Sequence, residues 1–229
     1  MEVTAITCTM RENKLDNILS NFLRQKWKGK ELIIIINRDR IDLNVWREKT
    51  KDYPYIRVFQ VPEDETLGSC LNKGVELAGH SIISKMDDDD YYSPFYLTEM
   101  IRAINRTGAD IAGKRSVYTY FCENNLLGIH RPYNENQFVK SVRGATLTFK
   151  KKVHDKIPFY HTNRGEDGDF LWRSARHGFR IYSTSKYNYT CIRQESPKDH
   201  TEKNSSLLNG CADLESGYNF PGKIIKCTE

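Results

Sequence analysis

Five consecutive apolar residues, Leu32 to Ile36, four of them isoleucine, form the longest apolar run in the chain. A strand with one wet face alternates apolar and polar side chains; this one offers no polar face, so both of its faces must be covered. Five residues suit a buried strand and fall far short of the roughly 18–20 that span a bilayer. Strands of this kind sit in parallel sheets with helices on each side. The rest of the chain therefore has to supply β-α units around it. Its 229 residues suffice for one sizeable core and not for two comfortable domains.

The first half carries such units. Val3–Cys8 is a β-rich run, followed by Leu15, Ile18, Leu19, Phe22, Leu23 and Trp27 as one apolar helical stripe. Ile56–Val61 reads as a further strand. Leu67, Cys70, Leu71, Gly74, Val75 and Ala78 make a second stripe, and Ser81–Met86 a fourth strand. Ser93–Pro94 is a helix-start signal, with Leu97, Met100, Ile101 and Ile104 as the buried face behind it. The second half is less regular: Ser116–Phe121, Ala145–Phe149 and Arg180–Tyr182 read as strands, Asp167–His177 as a helix. The expected fold is α/β, a single domain over 1–229 with a mostly parallel central sheet flanked by helices. Residues 1–105 form a nucleotide-type half and 106–195 a more variable half. From 196 onward a polar, irregular C-terminal tail is expected.

Composition narrows the function less than the pattern narrows the fold. Ten Phe, 13 Tyr and 3 Trp argue for a packed globule. Met1–Asn13 has no basic stretch leading into a long apolar segment, so no secretory signal is expected. Six cysteines lie far apart with no CxxC, unlike a disulfide framework, which favours a reducing, cytoplasmic location. The net charge of +5 suits an anionic partner without selecting one. Lys150-Lys-Lys152 reads as a solvated edge, and nucleic acid would need a basic stripe well beyond this balance. Cys191, His200, Cys211 and Cys227 are too irregularly spaced for a zinc site. No Walker A, G-x-G-x-x-G or nucleophile-elbow motif occurs.

Chemistry concentrates in two acidic segments. In Ser84-Lys-Met-Asp-Asp-Asp-Asp-Tyr-Tyr-Ser-Pro94, four carboxylates follow an apolar strand directly. Like charges this close repel unless a cation or strong donors neutralise them, and ligands of open α/β sheets bind at the carboxyl ends of strands. Extended backbone points Asp87 and Asp89 one way and Asp88 and Asp90 the other. A solvated turn capping the next helix would use the same residues; placement after a buried strand favours metal binding. The second segment, Arg164-Gly-Glu-Asp-Gly-Asp-Phe-Leu-Trp-Arg173, puts Glu166, Asp167 and Asp169 at a helix start, where they also compensate the helix dipole. Two separated acidic sites match a division between holding a metal and leaving group and removing a proton.

At these residues the chain resembles the family 2 glycosyltransferases of the GT-A fold, closest in flavour to bacterial polysaccharide or spore-coat enzymes. Val3-Thr-Ala-Ile-Thr-Cys-Thr-Met-Arg11 looks like the family's first strand and nucleotide loop, and Glu31–Asn37 like its second strand. Gly68-x-x-x-Asn72-x-Gly74 resembles the helix before the acidic motif, and Met86–Asp90 with Pro94 the Asp-x-Asp motif itself. Gly144–Phe149 resembles the strand under the acceptor, and Glu166-Asp167 with Phe170, Leu171, Arg173 and Gly178 the Glu-Asp helix. The resemblance implies a nucleotide-diphospho-sugar donor (UDP, GDP or dTDP type) bound by Thr9, Arg11, Asn37, Asn72, Asp87 and Asp88. It implies Mn²⁺ or Mg²⁺ on Asp89, with His200 either near that metal or an ordinary tail histidine. Asp167 becomes the base of an inverting transfer to a glycan or other hydroxyl acceptor, with Thr146 and Glu166 on the acceptor side. Two departures stand out: many relatives have an acidic pair where this chain has Ile36-Asn37, and Ala-Arg where it has Cys70-Leu71. They leave open a non-catalytic nucleotide- or glycan-binding module, and a sugar nucleotidyltransferase shares the first half.

Overall fold

The computed structural model describes residues 1–194 and 204–217. Strands β1 (Val3–Thr9), β2 (Lys30–Ile36), β3 (Ile56–Gln60) and β4 (Ile82–Lys85) alternate with helices α1 (Leu15–Leu23), α2 (Leu43–Thr50) and α3 (Leu67–Leu77). These four strands run parallel in the spatial order β3-β2-β1-β4. The isoleucine run lies in β2 and is 1% exposed or less. Its alternating side chains serve two separate cores. Leu32, Ile34 and Ile36 pack with Leu15, Ile18 and Phe22 of α1; Ile33 and Ile35 pack with Cys70, Leu71 and Val75 of α3. A strand without a polar face is thus explained by a helix layer on each side.

After β4 come β5 (Tyr91–Tyr92), α4 (Tyr96–Thr107), β6 (Ile111–Gly113), β7 (Val117–Phe121), β8 (Leu126–His130), β9 (Gln137–Phe138) and β10 (Thr148–Lys150). The described chain closes with α5 (Lys151–Lys156), α6 (Glu166–Arg176), β11 (Ile181–Ser183), β12 (Tyr189–Arg193), α7 (Asn204–Asn209) and β13 (Cys211–Ser216). Strands β10, β6, β11 and β9 extend the main sheet beyond β4 to eight strands. Strand β10 is antiparallel to both its neighbours, while β11 runs parallel to β6. A second sheet, β13-β8-β7-β12-β5, stands beside it.

Most element ends differ from the sequence expectation by a residue, and three departures go further. The strand expected at 145–149 begins with a 3₁₀ turn, Gly144–Thr146, because the Thr146 hydroxyl donates to the Arg143 carbonyl (2.8 Å) and folds the chain back before β10. The helix expected from Pro94 starts at Tyr96, since the Ser93 carbonyl accepts from Tyr96 N–H and makes a tight turn first. Part of the expected polar tail is regular, with β13 pairing along β8.

Candidate functional site

Strands β1 and β4 end side by side, and the chain beyond each supplies one flank of a cleft of about 480 Å³. Exposure alternates along the acidic run, although the chain bends through residues 88–90 and does not stay extended as the sequence suggests. Asp88 and Asp90 are buried (3% and 6% exposed), whereas Asp87 and Asp89 are half-exposed towards the cleft. Asp88 accepts from the Thr9 hydroxyl and from the Arg11 guanidinium, whose Nη2 also reaches Asp89 at 3.0 Å. Burial raises the Asp88 pKa even against Arg11. Asp90 accepts from the Tyr189 hydroxyl and from Ile192 N–H (3.0 Å). Burial, then Asp89 and Asp87, push its pKa up to about 7. Asn17 and Asn21 of α1 hold the backbone of the run, donating to the carbonyls of Asp88 and Asp90, both at 2.8 Å.

The second acidic segment arrives from the opposite side. Gly165, at φ +78°, turns the chain into α6 in a left-handed conformation that glycine tolerates without strain. Asp167 then lies against Gly144 so closely that a Cβ at 144 would sit 1.6 Å from Asp167 Oδ2. Glu166 is buried, which raises its pKa against the pull of Lys85. Lys85 joins the two segments. It is 7% exposed and donates to Asp87 Oδ1 at 2.6 Å. Burial disfavours its charge, but Asp87, Asp167 and Glu166 outweigh that and hold its pKa above the usual lysine range. The sequence signal for Lys85 was an isolated cation inside an otherwise apolar strand.

Of the expected site residues, Arg11, Asp87, Asp88, Asp89, Glu166 and Asp167 line the cleft. Thr9 stands behind Asp88 as its hydrogen-bond donor. Asn37 follows β2 beside Thr9, whose carbonyl accepts from its N–H (2.8 Å); its amide group donates to the Pro62 carbonyl (2.7 Å). Two residues lie elsewhere than expected. Asn72 is turned away from the cleft: its amide donates to the Phe159 carbonyl, and its oxygen accepts from Phe159 N–H and His154 Nε2. Thr146 is fully buried, its hydroxyl spent between Arg143 and Lys114. His200 falls outside the described residues. Arg115, Arg131, Arg143 and Arg164, absent from the expectation, also line the cleft.

Among the described residues no three His, Cys, Asp or Glu side chains converge to cage a metal. With Asp88 and Asp90 turned inward, a divalent ion here would rely on Asp89, with Asp87 at most beside it, and on oxygens from a ligand. Mg²⁺ and Mn²⁺ are commonly held in that way, by one or two carboxylates plus phosphate and water. The donor set fits such an ion.

The profile of the family described as glycosyl transferase family 2 matches residues 4–167, from β1 to the acidic pair of α6. This chain belongs to that family. Poly-beta-1,6-N-acetyl-D-glucosamine synthase of Staphylococcus aureus is 24% identical over 192 residues, covering 77% of this chain and 46% of that protein. Glucosyl-dolichyl phosphate glucuronosyltransferase of Haloferax volcanii is 21% identical over 184 residues, covering 74% and 59%. The family 2 chain therefore spans about half the length of the curated relatives it matches. Among solved structures, S. aureus TarS 1-349 in complex with UDP-GlcNAc superposes with a TM-score of 0.69 at 15% identity, over 89% of this chain and 62% of that one. Mannosyltransferase PcManGT from Pyrobaculum calidifontis, in complex with GDP-Man and Mn²⁺, superposes with a TM-score of 0.63 at 14% identity, over 86% and 58%. These likenesses show a GT-A fold. No helix among the described residues is long and apolar enough to cross a membrane.

Proposed function

We propose that this family 2 chain is a metal-dependent, inverting glycosyltransferase that moves a sugar from a nucleotide-diphospho-sugar to an acceptor hydroxyl, in polysaccharide or cell-surface glycan synthesis. The convergence of two acidic segments, distant in sequence, on one cleft at the carboxyl ends of β1 and β4 carries this reading. The relatives named above act on sugars, and two solved neighbours hold UDP-GlcNAc and GDP-Man. The five described cysteines are free thiols, in keeping with the proposed cytoplasmic location. Residues 1–105 and 106–195 act as donor and acceptor halves of one domain.

In this reading the nucleoside rests against Thr9, Arg11 and Asn37, and Asp87 meets a ribose hydroxyl. Asp88, spent on Thr9 and Arg11, shapes the loop from behind. Asp89 would hold Mn²⁺ or Mg²⁺, which supplies positive charge for the departing diphosphate. Asp167 accepts the proton of the acceptor hydroxyl. As that O–H bond breaks, the oxygen attacks the anomeric carbon from the face opposite the nucleotide. The bond from carbon to phosphate oxygen breaks with its electron pair leaving on the diphosphate, through an oxocarbenium-like transition state. Lys85 lends positive charge to the carboxylates around it, and Gly144 leaves room for Asp167.

The test is a thermal-shift screen of UDP, GDP, dTDP, CDP and ADP with and without Mn²⁺. Ligand bound to the native state raises Tm once it exceeds its Kd. A metal-requiring shift with one nucleotide, lost in Asp89→Ala, is expected. No shift with any of them in folded protein would overturn the donor site. A nucleotidyltransferase would instead release pyrophosphate from a nucleoside triphosphate.

A further inference from the structure

The cleft that holds Asp87 to Asp90, Glu166 and Asp167 is also rich in arginine. Besides Arg193, which donates to Asn204, it is lined by Arg115, Arg131, Arg143 and Arg164. These last four arginines come from the second half of the chain, on four separate segments. Arg115 follows β6, Arg131 follows β8, Arg143 precedes the Gly144 turn and Arg164 precedes Gly165. Among the described residues none of the four forms an ion pair. By contrast, the half-buried arginines Arg11, Arg38, Arg57 and Arg173 each reach a carboxylate, and Arg24 stacks on Tyr91. Arg115 and Arg143 are half-buried as well. Arg115 donates to the carbonyl and hydroxyl oxygens of Ser141. Arg143 donates to Cys191 Sγ at 3.0 Å, bonds to the Tyr189 hydroxyl and feels the charge of Asp90 without pairing with it.

A partly desolvated guanidinium without an anion beside it is costly to keep. Its planar fork of donors matches phosphate and carboxylate oxygens, and several such groups in a concave site focus positive potential on an incoming ligand. The position of these arginines decides which ligand. Arg164 lies just before the Glu166-Asp167 pair, and Arg143 adjoins the glycine against which Asp167 packs. A group that takes a proton from the acceptor has the acceptor against it, so these arginines flank the acceptor. On the glycosyltransferase reading above, we infer that the acceptor carries an anionic group, a phosphate or carboxylate, close to the hydroxyl that receives the sugar. Arg131 and Arg164, which are exposed, meet it at the rim, and Arg115 and Arg143 hold it deeper.

The test is a titration of the full chain, with and without saturating nucleoside diphosphate and Mn²⁺, with three probes of six units. They are oligo(glycerol phosphate), oligogalacturonate and a neutral cello-oligosaccharide. At least one anionic probe is expected to bind about tenfold or more tighter than the neutral one, with nucleotide still bound and with affinity falling as salt rises. The stronger of the two anionic probes identifies phosphate or carboxylate as the group recognised. The exposed double variant Arg131→Gln/Arg164→Gln is expected to lose most of that preference while keeping its nucleotide-induced thermal shift. Equal affinity for charged and neutral probes, or no binding of either charged probe, would overturn the inference. So would competition between the charged probe and nucleotide, which would assign the arginines to the donor diphosphate. A missing nucleotide shift is a separate result and counts against the donor site instead.

Discussion

Gly144→Ala is a one-carbon change that tests whether Asp167 acts where it stands. The added Cβ would lie 1.6 Å from Asp167 Oδ2, 2.5 Å from its Cγ and 2.9 Å from its Cβ. Ordinary non-bonded contact begins near 3.4 Å, so the carboxylate has to retreat by roughly 2 Å or change rotamer. Gly144 does not have a positive φ, so alanine fits the backbone and the clash falls on Asp167. Displacement of a reacting group by about 1 Å can cost ~100-fold in rate, or about 2.7 kcal/mol of transition-state stabilisation. The expected outcome is a fall in kcat of ~100-fold or more, with donor KM little changed because Asp87 and Asp89 are untouched. The assay is nucleoside diphosphate release from the donor that gives the largest thermal shift, read with a circular dichroism check of folding. A Gly144→Ala enzyme with near-normal kcat would refute the role of Asp167 in the chemistry.

Three further outcomes follow from the packing. Lys114 is fully buried and donates to Glu99, Thr184 and Ser185. Lys114→Met leaves the Glu99 charge without its cation and is expected to cost about 3–5 kcal/mol in urea denaturation, part of it recovered in Lys114→Met/Glu99→Gln. Burial depresses the His154 pKa, and its Nε2–H donates to Asn72. The unfolded chain takes up that proton first, so the stability His154 contributes is full above about pH 6.5 and is lost as pH falls below it, while the raised carboxyl of Asp90 acts in the opposite sense. Denaturation at about pH 7 and about pH 5 should show the unmodified chain losing stability relative to His154→Gln as pH falls. Gly168 lies inside α6 with nothing within 4 Å of an added Cβ. Gly168→Ala is expected to stabilise by about 0.5–1 kcal/mol, read as a small rise in Tm.

The legible parts of this chain were those where one local pattern has one solution. A short apolar run made almost wholly of β-branched isoleucine favours a strand covered on both sides, and β2 divides its alternate residues between two cores. Four successive aspartates straight after a strand alternate in exposure, although the chain bends at residues 88–90. Less legible were features decided by partners remote in sequence. Asn72 and Thr146 sit in recognisable motifs, but Phe159 and His154 for the one, and Lys114 and Arg143 for the other, determine where their polar groups point. The second sheet depends on β7 pairing in parallel with β12 across a long separation, and β5 and β9 have two residues each. Strands so short carry no period to read. The four cleft arginines follow or precede elements far apart in the chain, so nothing in the sequence groups them. Helix α2 buries only Trp46 and Thr50, too sparse a stripe to announce a helix.

The central claim is that one cleft divides its carboxylates between donor and proton. Nucleotide binding and donor turnover measured side by side in Asp89→Ala and Asp167→Asn test it most directly. Asp89→Ala should lose the metal-dependent thermal shift and turnover together. Asp167→Asn should keep the full shift and lose turnover by ~100-fold or more. Loss of binding in Asp167→Asn, or undiminished turnover in either variant, would contradict the assignment.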